Sequence, residues 1–392
     1  MKIIQILTHS PSWVTKNIEE DIYDGWHVRT AKAIKKISNN FDFVCILPEK
    51  NVHQIITEQK EGITYQVFPS IAFSYQREIS LPMIRAIKAM AKEPIILHLH
   101  GAHNYLTYTL TSIFAKLPIV IQHHGDCPPF NLIERRHRLI FFISLLGMEQ
   151  FLMYQVLRFV DFFFVLTNKE RERLLKFIKP EKIKIQGMGV DFNYFLPMKK
   201  DEARRRLNLS PSEKILLYVG KLQRYKGCDV ALEVYQELKK EYNIKLLLVG
   251  GSETDELYGA AKASQAVIFP RQPPELMPTF YSAADVTILP GTKPLTEWGG
   301  IGISLIESLA CGTPVVGGTL RNFWGEISRI GVLAVTKREI IEGVKLILNN
   351  PEKFHHCRTE AQRYYNWQVI AQNTIAVYQK LARKYYPTAL NI

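Results

Sequence analysis

Short apolar runs recur along the chain, with segments of helical periodicity between them. In the first half the runs are KIIQILT, FDFVCILP, ITYQVFP, PIILHLH, PIVIQHH, FFFVLTN and KIKIQG. A second series is KILLYVG, IKLLLVGG, AVIFP, DVTILP, TPVVGG and GVLAV, and it alternates with amphipathic stretches such as DVALEVYQELKKEY. Apolar runs of this length between helical segments are typical of parallel strands that are buried on both faces. The pattern therefore predicts an α/β fold with two doubly wound domains.

The segment between the two series, MGVDFNYFLPMKKDEARRRLNLSPSEK, is polar and contains two prolines. We therefore predict an N-terminal domain over residues 1–192, a linker over residues 193–213 and a C-terminal domain over residues 214–365. Residues 366–386 follow the last predicted strand and carry apolar side chains at helical spacing, which predicts a closing helix. The pattern alone does not decide on which domain this helix packs.

Residues 139–167 are rich in Phe, Leu, Ile and Met, as a membrane span would be. Polar residues interrupt them, so no run of about 20 apolar residues is left, and we predict two helical segments that lead into a buried strand. The interrupting residues are Glu149, Gln150, Arg158 and Asp161. Residues 131–186 carry 11 Lys or Arg against six Asp or Glu. This excess suits either a basic and apolar face on an anionic membrane or an internal helix with a solvated basic edge.

The composition, with 47% hydrophobic and 22% charged residues, excludes a largely disordered chain. A net charge of +13 indicates an anionic partner, which nucleic acid, a phosphorylated metabolite or an anionic membrane could supply. The five cysteines are scattered and form no CxxC pair, which argues against a disulfide scaffold or a cysteine zinc site. The start MKIIQILTHS lacks the features of a signal peptide. We expect a cytoplasmic protein, either free or peripheral on the inner face of the membrane.

One strand-to-helix turn, in YVGKLQRYKGCDVALEV, carries three cations between Gly220 and a helix that should start near Asp229. The cations are Lys221, Arg224 and Lys226. Ligands collect at the carboxyl ends of parallel strands, where helix N-termini and turn backbones converge, so three cations there suit a diphosphate. A solvated basic loop is the alternative, because such clusters are common on basic proteins.

Three glycines precede an apolar run in TEWGGIGISLIESLACGTPVV. A helix should begin near Gly302 or Ile303 and end at Gly312 and Pro314. Glycine lets a ligand approach the first amides of that helix, which favour an anion. Glu307 lies about one turn inside, and its side chain should lean toward the helix N-terminus. An anion at the amides and hydroxyls at the carboxylate describe a nucleotide with its ribose; a tight turn with a solvated glutamate is the alternative.

Five of the 11 histidines fall within 27 residues, at the ends of two predicted strands. They are His98, His100, His103, His123 and His124. A metal site, structural histidines with satisfied hydrogen bonds, and polar groups that line an active site are the three interpretations. The sequence contains no GxSxG, no GxxxxGK[ST] and no HExxH, so hydrolytic chemistry has no support.

Taken together, the motifs resemble the retaining glycosyltransferases of family 4, which have the GT-B architecture of two Rossmann-like domains facing across a cleft. HHGDCPP, GMGVDFNYFLP and YVGKLQRYKG resemble the family's histidine–glycine, linker and phosphate-binding segments. ELMPTFYSAADVTILPG and GGIGISLIESLACGTPVV resemble its strand and glycine-rich signatures, in the family's order. The resemblance covers nearly the whole chain, and it implies that the closing helix crosses back to the N-terminal domain.

The resemblance implies that a sugar is transferred, with retention, from a nucleotide diphosphate sugar of the UDP or GDP type to a hydroxyl. A lipid-linked glycan, a lipid or a polysaccharide is the expected acceptor. No metal, no other cofactor and no nucleic acid partner is expected. A sugar-nucleotide-binding subunit with impaired catalysis and a transferase to a small soluble acceptor are the alternatives.

Carried onto this sequence, the resemblance implies that Lys226 and Lys221 bind the diphosphate and that Glu307 holds the ribose. His124 would face the donor sugar, with His100 nearby, and backbone around residues 269–271 would meet the base. The donor-binding candidates are Lys221, Arg224, Lys226, Arg271, Gly299, Gly300, Ile301, Gly302, Ile303 and Glu307. The catalytic candidates are His124, Lys226 and Glu297, and those of the acceptor side or cleft are His100, His103, His27 and Asp126.

The sequence departs from the family's pattern at four places. Gly299 stands where the family has its first glutamate, and Glu297 is two residues earlier. Lys221 replaces an arginine, which exchanges a bidentate fork for a point charge. Met188 stands where asparagine is common. The first loop, THSPSWVTKNIEEDIYDGWHV, has Gly25 but not the usual glycine pair.

Overall fold

All thirteen apolar runs that predict strands form strands in the computed structural model. The structure describes residues 1–13, 18–74, 77–124, 156–291 and 302–389. The chain divides into a first unit, Met1–Gly187 with Ile370–Ile392, and a second unit, Met188–Val369.

The strands and helices of the described residues are numbered here in chain order. The strands are β1 (Lys2–Leu7), β2 (Asp42–Glu49), β3 (Ile56–Lys60), β4 (Ile63–Pro69), β5 (Ile71–Ser74), β6 (Arg77–Ile79), β7 (Ile95–His100), β8 (Ile119–Gln122), β9 (Phe162–Val165), β10 (Ile183–Ile185), β11 (Lys214–Val219), β12 (Ile244–Val249), β13 (Val267–Phe269), β14 (Val286–Ile288), β15 (Val315–Val316) and β16 (Gly331–Val332). The helices are α1 (Ile18–Asp24), α2 (Trp26–Lys35), α3 (Leu81–Met90), α4 (Tyr105–Ile113), α5 (Asn168–Leu174), α6 (Lys200–Arg206), α7 (Cys228–Leu238), α8 (Tyr258–Ala263), α9 (Met277–Ala283), α10 (Ile303–Ala310), α11 (Lys337–Asn349), α12 (Cys357–Tyr365) and α13 (Trp367–Tyr385).

The first unit is built on a sheet whose described strands lie in the order β10-β9-β8-β7-β1-β2-β4-β3. Neighbouring strands run parallel up to β4, and β3 pairs with β4 in the antiparallel sense. Helices cover the sheet and bury its apolar side chains, Ile4, Leu97 and Ile121 among them. Strand order reverses at the pair β1–β7, so loops that leave these strands lie where α/β sheets bind ligands.

The second unit is built on a parallel sheet with the order β13-β12-β11-β14-β15-β16 in the described residues. Its order reverses at the pair β11–β14, which places the turns after both strands at a topological switch point. Two apolar cores, on opposite faces of the sheet, contain Leu217 and Leu247 in one and Leu216 and Leu248 in the other. Burial on both faces explains why these strands read as continuous apolar runs.

Three strands escape the sequence pattern. Every residue of β3 is exposed, so this edge strand carries no apolar run. The antiparallel hairpin of β5 and β6 is too short for an alternating pattern to stand out.

The polar stretch 193–213 belongs to the second unit and contains α6. It packs through Arg204, whose buried guanidinium donates to Asp285 Oδ2 at 2.7 Å and to the carbonyl of Ala283 at 3.1 Å. A buried arginine that is paired in this way holds a polar segment against an apolar domain.

The closing helix α13 contributes residues from Ile370 onward to the first unit. Polar contacts fix it there: Lys384 Nζ lies 2.7 Å from Asp161 Oδ1, and Gln186 Nε2 donates to Thr374 at 3.1 Å. The helices predicted between residues 139 and 155 lie outside the described residues, whereas the strand that follows them is β9. Of the helices that are described, none is long and apolar enough to cross a membrane.

Candidate functional site

A cavity of about 930 Å³ opens at the carboxyl ends of β11, β12 and β13 in the second unit. Its lining combines backbone from the strand ends with a few charged side chains. The lining residues are Val219, Gly220, Lys221, Val249, Gly250, Gly251, Ser252, Glu253, Asp255, Tyr258, Ile268, Pro270, Arg271, Gln272, Pro274, Met277 and Glu307. Three of the predicted donor-binding side chains thus converge on one cavity: Lys221, Arg271 and Glu307.

Glycines bring the strand ends close together on one side of this cavity. Gly250 has φ +104°, and a Cβ atom there would lie 3.2 Å from the carbonyl oxygen of Gly220. Only glycine accommodates both the left-handed backbone and the close approach. Gly220 and Gly250 both line the cavity, so residues without side chains form this edge of it.

The basic turn after β11 lies against the end of β14. It forms a single 3-10 turn, Arg224–Lys226, followed by Gly227 with φ +80°. A Cβ atom at Gly227 would lie 2.9 Å from Cβ of Pro290. Position 227 therefore requires glycine for two reasons: its left-handed backbone conformation and its close contact with Pro290 at the switch point.

The charge of Lys221 acts on Lys226. Burial, and then the charge of Lys221, lower the pKa of Lys226. Lys226 is partly buried, with Nζ 5.2 Å from the ring centroid of Tyr225, whereas Lys221 is exposed and lines the cavity. An anion bound near Lys226 would restore the preference of its ammonium group for the charged form.

Arg224 points to carboxylates of the protein. Its Nε donates to Glu256 Oε1 at 3.0 Å, and its Nη1 lies 3.6 Å from Asp229 Oδ2. The side chain is 65% exposed and does not line the cavity. Of the three cations in this turn, only Lys221 lines the cavity, and Lys226 and Arg224 do not.

Glu307 is held in place by a buried tyrosine. Helix α10 begins at Ile303 after Gly302 and ends before Gly312, which has φ +81°, so its predicted bounds are confirmed. Glu307 Oε2 accepts a hydrogen bond from the Tyr281 hydroxyl at 2.7 Å. Burial and the nearby carboxylate raise the pKa of Tyr281, so its hydroxyl stays protonated and donates. One carboxylate oxygen of Glu307 is thereby fixed in a residue that lines the cavity.

Sequence reasoning missed three residues of this site. Tyr281 lies in the quoted FYSAADV segment, but its partner is known only from the fold. Asp255 Oδ2 accepts from the amides of Leu222 at 3.0 Å and Ser252 at 3.1 Å, and it joins the loops after β11 and β12. Gly250 follows a buried strand, the same signal that marks Gly220, and could have been found by that rule.

Several predicted residues lie outside the described part of the chain. They are Asp126, Glu297, Gly299, Gly300 and Ile301. Gly302 and Ile303 are described, and they form the exposed start of α10.

In the first unit, ring contacts join the predicted histidines in two sets, and all of these histidines but His124 are buried. His100 is fully buried, and its Nδ1 lies 2.8 Å from Nε2 of His124. The rings of His27 and His100 are 6.1 Å apart, and those of His103 and His123 are 5.4 Å apart. His123 Nδ1 lies 2.6 Å from Glu170 Oε1. Among the described residues, no three His, Cys, Asp or Glu side chains are grouped so that they could hold a metal ion.

The buried histidines should make the protein sensitive to acid. Burial, with a smaller effect of His9, lowers the pKa of His27 to about 3, and burial lowers that of His98 to about 3. The unfolded chain binds protons at these histidines below about pH 6.5, and the folded chain does not, so stability falls as the pH drops from 6.5 toward 3.

At pH 5 each of these two histidines should have reduced the free energy of unfolding by about 2 kcal/mol relative to pH 7. Urea unfolding at both pH values checks this. The variant His27→Met should lose less stability between pH 7 and pH 5 than the wild type. An equal loss in both would contradict the assignment for His27.

Comparison with known proteins finds a family match within the second unit. The sequence profile described as "Glycosyl transferases group 1" matches residues 199–364. A D-inositol 3-phosphate glycosyltransferase from Segniliparus rotundus is 31% identical over 185 residues, which cover 45% of this chain and 38% of that protein. One from Acidothermus cellulolyticus is 31% identical over 191 residues, covering 45% of this chain and 39% of that protein. The chain thus matches about two fifths of the length of these relatives.

Solved structures share the whole fold. Sucrose-phosphate synthase from Thermosynechococcus elongatus has a TM-score of 0.70 and 19% identity, covering 98% of this chain and all of that one. The Anabaena protein HepE, solved in complex with UDP, has a TM-score of 0.69 and 14% identity, covering 97% of this chain and all of that one. These likenesses confirm the predicted GT-B fold with two Rossmann-like domains. Residues 199–364 therefore match the glycosyl transferases group 1 family, in line with the resemblance of the motifs.

Proposed function

We propose that this protein is a retaining glycosyltransferase that moves a sugar from a nucleotide diphosphate sugar to a hydroxyl group. The observation that carries the proposal is the cavity of the second unit. Lys221 and the tyrosine-held carboxylate of Glu307 line this cavity at strand ends of the domain that matches the group 1 family, and Lys226 follows Lys221 in the same basic turn. Cations suit the diphosphate, and a fixed carboxylate suits the ribose hydroxyls.

In the proposed reaction the bond between the anomeric carbon and the diphosphate oxygen breaks. The acceptor oxygen bonds to the same face of that carbon, and its proton passes to the departing phosphate oxygen. Negative charge grows on the leaving group, so the ammonium groups of Lys221 and Lys226 and the first amides of α10 act mainly in the transition state. Because these groups supply the positive charge, the proposed mechanism uses no metal.

The remaining contacts to the donor are proposed from the sequence motifs. Backbone at residues 269–271 meets the base, and Arg271 lines the same cavity. His124 faces the donor sugar, and Glu297 takes the role of the glutamate that Gly299 replaces. Gly299 to Ile303 supply amides to the phosphate and the sugar.

For the acceptor we infer a small soluble hydroxyl compound. The relatives from Segniliparus and Acidothermus are named for D-inositol 3-phosphate, a phosphorylated polyol. The net charge of +13 suits a phosphorylated acceptor as well as a phosphorylated donor. The lipid-linked acceptor and the anionic membrane surface expected from residues 131–186 rest on a stretch that is largely outside the described residues.

A thermal-shift screen with nucleotides tests the proposed donor site. We expect UDP or GDP at 100 times its dissociation constant to stabilise the protein by about 2.7 kcal/mol, because a ligand that binds only the folded state shifts unfolding by mass action. The matched control is the corresponding nucleoside, which lacks the diphosphate and should stabilise much less. Equal shifts with nucleoside and nucleoside diphosphate would contradict a site built on Lys221 and Lys226.

A further inference from the structure

A buried chain of hydrogen bonds links the closing helix to His124. It runs from His98 through Tyr378 of α13, Gln5 of β1 and His100 of β7 to His124. The Tyr378 hydroxyl lies 2.6 Å from His98 Nδ1 and 2.9 Å from Gln5 Nε2. Gln5 Oε1 lies 2.6 Å from His100 Nε2, and His100 Nδ1 lies 2.8 Å from His124 Nε2. All members but His124 are fully buried.

The hydrogen bonds of this network are all donated in the same direction, from His124 toward His98. Gln5 presents its oxygen to His100, and an amide oxygen only accepts, so His100 Nε2 must carry a proton. Burial and neighbouring histidines lower the pKa of His100 far below its usual range, so its ring is neutral and Nδ1 accepts. His124 must therefore donate through Nε2. At the other end, Gln5 Nε2 donates to the Tyr378 oxygen, and the Tyr378 hydroxyl donates to His98.

The orientation of the Gln5 amide is the element that sets this direction. If the amide turned over, its NH₂ group would face His100, and His100 and His124 would both have to exchange tautomers. The Tyr378 hydroxyl holds the amide nitrogen at the far end. Without it, the two amide orientations would differ much less in energy, and the tautomer of His124 would be mixed.

We propose that Tyr378 is a positioning residue, which fixes the tautomer and orientation of His124 through Gln5 and His100. This inference rests on the proposed function, in which His124 faces the donor sugar. A neutral ring that carries its proton on Nε2 has its lone pair on Nδ1. The hydrogen-bond network therefore determines which ring atom of His124 accepts and which donates. The closing helix α13 thereby sets the hydrogen-bonding character of His124.

The helix does not depend on Tyr378 alone for its docking. Lys384 and Tyr385 both contact Asp161, and the Tyr386 hydroxyl donates to the carbonyl of Ile95 at 2.9 Å. Removal of one hydroxyl should therefore leave α13 in place, and the Tyr378 ring would keep its contact with Phe41, whose centroid is 5.7 Å away.

The variant Tyr378→Phe tests the inference, with Tyr386→Phe as the matched control. Both lose one tyrosine hydroxyl from the same end of the chain, but Tyr386 donates to backbone outside the network. Long-range ¹H–¹⁵N spectra of the histidine rings report each tautomer, and His124 is assigned by its missing signals in His124→Gln. Gln5→Met, which breaks the same chain, is the second variant and decides the matter if Tyr378→Phe does not fold.

In the wild type and in Tyr386→Phe we expect His124 with its proton on Nε2. In Tyr378→Phe and Gln5→Met we expect mixed tautomers and a kcat lowered roughly 10-fold or more, with the KM for the donor nearly unchanged. Unchanged tautomers and kcat in folded Tyr378→Phe would overturn the inference. If the wild type consumed no donor at all, the proposed function would fail instead, while the spectra would still decide whether Tyr378 sets the tautomer of His124.

Discussion

Replacing Lys226 with alanine should lower kcat for sugar transfer about 100- to 1000-fold and change the affinity for the donor much less. Burial, and then the charge of Lys221, lower the pKa of the Lys226 ammonium group. Two positive charges kept close together stabilise the growing charge on a departing diphosphate most strongly in the transition state. Preorganised donors of this kind contribute about 3 to 4 kcal/mol each in comparable sites.

Two control variants make this result specific. Lys226→Arg keeps the charge and should retain more activity than Lys226→Ala, whereas Lys353→Ala removes an exposed lysine and should have wild-type kinetics. Steady-state kinetics on variants with wild-type circular dichroism provide the measurement. Full activity in folded Lys226→Ala would remove Lys226 from the mechanism.

Replacing Glu307 with alanine should weaken nucleotide binding about 10- to 150-fold, since hydrogen bonds to a charged group contribute about 1.5 to 3 kcal/mol. The carboxylate lines the cavity, and the Tyr281 hydroxyl holds one of its oxygens at 2.7 Å. The change would also leave that hydroxyl buried without its acceptor, which costs about 1 to 3 kcal/mol of stability. Calorimetric titration with UDP and GDP, together with urea unfolding, measures both effects.

The double variant Tyr281→Phe with Glu307→Ala separates the two effects. It removes both partners of the buried hydrogen bond, so we expect the stability lost in Glu307→Ala to return in part. Nucleotide affinity should stay low, because the carboxylate that we assign to the ribose is still missing. If affinity returned together with stability, Glu307 would have a structural role only.

The local signals in the sequence were enough for the fold. Apolar runs predict thirteen strands because parallel strands are buried on both faces, and a glycine at each end predicts the bounds of α10. The exposed strand β3 and the short hairpin of β5 and β6 carry no such signal. A buried strand is visible in the sequence as an apolar run, whereas an exposed edge strand has no such run.

The sequence predicts three of the charged side chains that line the cavity, but not the residues that hold them in place. Lys221 and Arg271 follow strands, where the position of a ligand follows from the sheet, and Glu307 lies within α10. Tyr281 and Tyr378 act through hydrogen bonds to residues that only the fold brings near: Gln5 and Tyr378 are 373 residues apart in sequence. Arg224 likewise donates a hydrogen bond to Glu256, which lies on the loop after β12.

Release of nucleoside diphosphate from a panel of nucleotide sugars is the measurement that tests the central claim most directly. With a hydroxyl acceptor present, we expect the wild type to release UDP or GDP from at least one donor. The variant that combines Lys226→Ala with Glu307→Ala should release none above background. Absence of release from every donor by folded wild-type protein, or equal release by the double variant, would contradict sugar transfer at this cavity.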